Sequence, residues 1–202
     1  MDGYYDLGRY RRRGTTAAPE AQAWFDRGLL WCYGYNHQEA AECFRKALAA
    51  DGDCAMAWWG LAHVSGCNYN KPWVAFDPDD AARSIDEAFA MTQKALELRE
   101  GASQFERLLI EALPHRYQAA AARDDLEKWN DDFAAAMREA YAQMPDNLEI
   151  AAVFAEAMMN RTPWQLWDIN AGTVAEGADT REILDVLDKA LAAGGMTHPG
   201  IL

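Results

Sequence analysis

A chain of 202 residues, half of them apolar and a quarter charged, is long enough to bury a sizeable core and too apolar for general disorder. Its 32 acidic residues against 19 Lys and Arg leave a formal net charge of −13, which repels phosphate backbones and anionic membrane surfaces. General binding to nucleic acid or membrane is therefore not expected.

Met1 to Gly14 is polar and Arg-rich, without the apolar stretch of a secretory leader, and no apolar run approaches bilayer length. The cysteines, Cys32, Cys43, Cys54 and Cys67, are scattered without a C-x-x-C pair, so reduced thiols and a cytoplasmic location are expected. Residues 1–20 read as an N-terminal extension. Arg9, Arg11, Arg12 and Arg13 within it are expected to fold back onto acidic helices.

Residues 21–202 read as one helical-repeat domain. Trp24, Gly28 and Trp31 stand where a tetratricopeptide unit carries Trp, Gly and Tyr, with Arg27 in place of Leu. Ala40 and Phe44 match its second helix, and Gly52 in Asp51-Gly52-Asp53 replaces the closing Pro. Trp58 repeats Trp24 at the period of about 34 residues, followed by Leu61-Ala62 for the Leu-Gly pair. The first helix of this second unit is expected to end in Asn70-Lys71-Pro72-Trp73. An insertion over Gly66 to Pro78 delays its partner, which runs from Asp79 to Leu98. A third hairpin spans Ser103 to Tyr117 and Asp124 to Gln143, opened by a Ser103/Glu106 capping box. A fourth pairs Leu148 to Met159 with a helix over Thr180 to Ala193, capped by Asp179 or Thr180 and stopped at Gly194-Gly195. The acidic runs at Asp77 to Asp80 and Asp124-Asp125 read as helix caps. No segment alternates like a strand, so no sheet is expected. The fold class is all-α: stacked antiparallel hairpins forming a short right-handed superhelix.

Trp24-Phe25-Asp26-Arg27-Gly28-Leu29, Tyr35-Asn36-His37-Gln38-Glu39-Ala40, Asn68-Tyr69-Asn70-Lys71-Pro72-Trp73, Asn160-Arg161-Thr162-Pro163-Trp164 and His198-Pro199-Gly200 together resemble a bacterial group of large tetratricopeptide-repeat proteins. The chain also resembles, more distantly, the animal tetratricopeptide repeat protein 38 family. The resemblance runs from about Leu7 onward and covers insertions as well as repeats. It implies that further repeats follow in a longer parent protein, and it implies a fold far more than an activity.

Two groups of residues are candidate binding positions. Helical spacing from Trp24 and Trp58 turns Phe25, Leu29, Tyr33, Trp59 and His63 toward the concave groove, with Phe25 and Leu29 read as core. The second group is a loop edge. Asn70, Lys71 and Trp73, then His115, Arg116 and Tyr117, then Asn160, Arg161 and Trp164 each join a basic residue and an aromatic beside a proline. Lys71, Arg116 and Arg161 could engage a carboxylate or phosphate between aromatic walls. Each piece also has a structural role: proline stops the helix, the cation complements the helix dipole, and the ring plugs the hairpin.

The four histidines have no metal-binding spacing, although His63 and Cys67 lie one helical turn apart. No dinucleotide-binding, phosphate-loop or serine-elbow motif occurs. The sequence therefore reads as a non-catalytic scaffold, without cofactor or metal, for a peptide, a protein or a small anionic ligand. The alternative is the N-terminal part of a larger ligand- or metal-handling enzyme whose chemistry lies in repeats beyond this sequence. A third reading is homodimerisation through the end faces.

Overall fold

In the computed structural model, which describes residues 4–121 and 125–202, eight α-helices carry the fold. They are α1 (Pro19–Tyr33), α2 (His37–Ala50), α3 (Ala55–Ser65), α4 (Pro78–Glu97), α5 (Gln104–Ala112), α6 (Leu126–Gln143), α7 (Leu148–Met159) and α8 (Thr180–Ala192). Each helix packs on the next in sequence, and α3 also touches α1 and α5. Among the described residues no helix is long and apolar enough to cross a membrane.

Side-chain caps start several of these helices. Asn36, Asp77 and Asn147 accept bonds from the backbone N–H groups of Glu39, Asp80 and Ile150. The Ser103 N–H donates to the Glu106 carboxylate at 2.8 Å, closing the expected capping box. Asp179 precedes α8 but makes no side-chain cap; its carboxylate goes to Arg161. Asp124, where the sequence would begin α6, lies outside the described residues.

Close approach explains the first two hairpins. Phe44 on α2 is fully buried between Gly28 on α1 and Gly60 on α3. A Cβ at Gly28 would stand 2.5 Å from its ring, and one at Gly60 would stand 2.7 Å away. Both helices must therefore present bare backbone to this ring. The core runs on through Leu29, Trp59, Leu61, Ile85, Leu109, Ile110, Phe133, Met137 and Phe154.

Three expectations need correction. α3 stops at Ser65, ahead of Asn70, because Gly66 leaves helical geometry and an Asn68↔Lys71 bridge then reverses the chain. α5 ends at Ala112 and tightens into a 3-10 turn over Leu113–His115, with Pro114 inside it. A small antiparallel hairpin also forms: β1 (Trp167–Asp168) pairs with β2 (Thr173–Val174). Two-residue strands are too short to alternate visibly; this pair is held by its turn, where the Asp168 carboxylate accepts from the N–H groups of Asn170 and Ala171.

Candidate functional site

The N-terminal arm crosses the face shared by α1, α5 and α7. The Thr15 N–H donates to Glu106 on α5 at 2.9 Å, and the Arg12 N–H donates to Asp26 on α1 at 3.0 Å. The Arg12 guanidinium is buried, 4.7 Å from the Phe105 ring centroid, and reaches Glu149 on α7 at 3.3 Å. Arg9, Arg11 and Arg13 stay exposed. Glu149 is the hub of this closure. Besides Arg12 it accepts from Tyr33 at 2.5 Å and from Tyr10, and it contacts His198 Nε2 at 3.0 Å. One buried carboxylate thus ties arm, α1, α7 and the His198-Pro199-Gly200 segment together. Burial works to raise Glu106, but bonds from Ser103 and Thr15 hold it below the ordinary carboxylate value.

Beside this seal lies an inner cavity of about 310 Å³. The end of α1 contributes Cys32, Tyr33 and Tyr35; α2 opens with His37; α3 supplies His63. α7 supplies Ala152, Val153, Ala155, Glu156 and Met159, and residues 199–202 close the side. The lining is mainly apolar, with polar groups gathered toward one end. Tyr35 is held there by the cap of α1, where Asn36 N–H bonds Trp31 O at 2.9 Å and Tyr35 N–H bonds Cys32 O at 3.0 Å. That is a Schellman ending with tyrosine, φ 57°, in the position that usually takes glycine.

Arg116 runs behind the polar end. It is 1 % exposed and lies 3.3 Å from Glu156 and 3.4 Å from His63 Nδ1. A guanidinium only donates, so His63 Nδ1 accepts and the ring proton sits on Nε2. His63 stacks on Trp59 at 4.8 Å, and burial followed by the Arg116 charge holds it well below its ordinary value and hence neutral. Burial also lowers His37, whose Nδ1 meets the Asn68 amide at 3.2 Å. Burial pushes the Tyr35 hydroxyl upward, so it stays protonated as a donor. The Cys32 and Cys67 thiols are each pushed up to about 12 by burial, so neither is a nucleophile at neutral pH. Arg116 and Glu156 cancel in charge, and the cavity is close to neutral overall. Among the described residues no group of three His, Cys, Asp or Glu is placed to hold a metal ion.

A second cavity, also about 310 Å³, opens at the loop edge. Trp73, Asn160, Arg161 and Trp164 line it together with Pro72, Val74, Glu127, Asn130, Thr162, Pro163 and Gln165. The structure thus brings together the second-unit and fourth-unit loops, but not the rest of the expected edge. Lys71 turns away to Asp80 at 2.8 Å and covers the Phe76 ring, and Asn70 and His115 are exposed without lining either cavity. Arg116 and Tyr117 are buried beneath the inner cavity rather than on an edge. Tyr33 and His63 line the inner cavity, and Trp59 supports it from behind.

Of the groups at these two sites, Tyr35, His37, Glu149 and Glu156 were not among the binding positions expected from the sequence, where Tyr35 and His37 figured only in the resemblance. For the two glutamates a signal was available. α7 carries only two charged residues, Glu149 and Glu156, two turns apart and therefore on one face of an otherwise apolar helix. Comparison with known protein families and with curated proteins finds no match for this chain.

Proposed function

We propose that this protein is a non-catalytic binding scaffold of tetratricopeptide-like hairpins that takes a small organic molecule into its inner cavity. The observation that carries this reading is one mainly apolar cavity with a cluster of polar groups at one end: Tyr35, His37, His63 and Glu156, backed by buried Arg116. The tetratricopeptide reading is supported by the Trp24 to Trp58 period and by the Phe44 ring set between Gly28 and Gly60.

A long peptide on the inner face is disfavoured, because the chain's own residues 10–16 already hold the donors and acceptors there. A free anion is disfavoured as well, since Arg116 is already paired. The fitting ligand has an apolar body and an uncharged head that both donates and accepts. The four buried, unpaired cysteines favour work in a reducing, cytoplasm-like compartment.

The test is thermal stabilisation by a library of small neutral organic compounds, run on the wild type and on Glu156→Gln and Tyr35→Asn. Binders should raise the wild-type Tm and raise both variants less. Compounds that stabilise all three proteins equally, or a library without a binder, would remove the reading.

A further inference from the structure

The polar end of the inner cavity has a fixed pattern of donor and acceptor, and one atom sets it. Arg116 Nη1 lies 3.4 Å from His63 Nδ1 and 3.3 Å from a Glu156 carboxylate oxygen, so imidazole and carboxylate stand side by side around a single guanidinium nitrogen. The other end of the guanidinium donates to the Cys67 carbonyl, and the whole side chain is buried, so the core holds this spacing.

His63 keeps one polar atom for a ligand. Its Nδ1 accepts from the guanidinium, so Nε2 carries the proton. Nε2 makes no hydrogen bond among the described residues, yet it is not one of the enclosed polar atoms that lack a partner. It is therefore open to the space that His63 lines, which is the inner cavity. His37 is different. Its Nδ1 accepts from an Asn68 amide whose oxygen is held by the Asn70 and Lys71 N–H groups, and its ring already has the Cys32 carbonyl as a second partner.

Glu156 supplies the matching acceptor. Arg116 takes one of its oxygens and the Asn160 amide takes the other, which uses two of the roughly four acceptor positions of a carboxylate. Beyond these groups the wall is apolar, with Ala152, Val153, Met159 and Leu187.

A donor-only N–H and an acceptor-only carboxylate, held on two neighbouring residues, match a head group with acceptor and donor on adjacent atoms. A hydroxyl offers both from one oxygen and spans less. A lone charge would lose its water and gain little from an Arg116 and Glu156 that already neutralise each other. We infer that the inner cavity recognises a neutral carboxamide or lactam on a small apolar body, its C=O accepting from His63 Nε2–H and its N–H donating to Glu156. This rests on the small-molecule reading of the cavity and narrows it to one chemical class.

The test is a ligand-observed NMR titration of the intact protein with compounds that share one phenyl body: benzamide, N,N-dimethylbenzamide, acetophenone, benzyl alcohol, benzoate and toluene. Benzamide should bind tightest. The dimethyl amide and acetophenone, which lack the N–H, should fall about tenfold behind it, and toluene further. His63→Phe keeps a ring against Trp59 and should bind toluene as the wild type does, with benzamide no tighter than toluene. The wild-type series decides the inference even if that variant fails to fold. Equal binding of benzamide and toluene, or tightest binding of the alcohol or of benzoate, leaves a small-molecule cavity standing and overturns the amide head. No binding across the series also overturns the inference, and the compound-library test then decides the broader reading separately.

Discussion

Tyr35 and Trp164 are the two non-glycine residues, among those described, that adopt a left-handed backbone, and each forms part of the wall of a different cavity. Each occupies a turn position that glycine or asparagine would fill at lower cost, about 1–2 kcal/mol lower by the usual steric estimate. Replacing either with Asn should leave stability unchanged or raise it by up to about 1 kcal/mol. Urea unfolding of Tyr35→Asn and Trp164→Asn checks this. A loss above about 2 kcal/mol in either would mean that the ring serves packing rather than the cavity.

Acid should destabilise the fold in two stages. His63 and His37 have folded pKa values below their ordinary 6.5, so the unfolded chain binds more protons as pH falls below 6.5. The histidine contribution is therefore flat above that pH and declines below it, by up to about 1.4 kcal/mol per pH unit per histidine. Glu106, held below its ordinary 4.5, adds a second decline further down as it protonates. Burial raises Glu149, which works in the opposite sense: its contribution is present below 4.5 and lost as pH rises through its folded value. Urea midpoints between pH 7.5 and 5 should fall in the wild type and fall less in His63→Gln. Equal slopes in the two proteins would contradict a buried neutral His63.

The seal around Glu149 should behave as a coupled pair. Arg12→Met leaves a buried carboxylate with three neutral or weakly basic neighbours, and Glu149→Leu leaves a buried guanidinium. Each single change should cost about 3–5 kcal/mol, while the double change should cost less than their sum. A double-mutant cycle from denaturant unfolding measures the coupling. Simple additivity would show that the arm is held by other contacts.

Thiol chemistry gives a further check. Cys32, Cys43, Cys54 and Cys67 are all buried and free, and burial raises every one of their pKa values. An aromatic disulfide reagent at neutral pH should label the native protein slowly and all four thiols promptly after denaturation. Fast labelling of Cys32 in the native state would mean an accessible, activated thiol beside the inner cavity.

The helices were legible because their signals are local. Asp77 and Ser103 cap helices where the sequence reading placed caps, and Trp24, Phe44 and Trp58 fall at repeat spacing. The loop edge was half legible: Trp73 and Trp164 share a cavity, but Arg116 was read as a surface cation and is buried. Its burial depends on Glu156, forty residues away in sequence and without a local mark linking the two. The arm was expected to fold back, yet which arginine would enter could not be read. That choice is made by Glu149 and Phe105, which meet Arg12 only after α5 and α7 pack. The β1–β2 hairpin was missed because Asp168 holds its turn through side-chain bonds rather than through an alternating pattern.

The inner cavity is proposed to hold a small organic molecule while the arm closes the neighbouring face. Native mass spectrometry after incubation with a cell metabolite extract tests it most directly, with Ala152→Phe as the variant that fills the cavity from α7. The account predicts a small-molecule adduct on the wild type that is absent from a folded Ala152→Phe. No adduct on the wild type, or an equal adduct on both proteins, would contradict it.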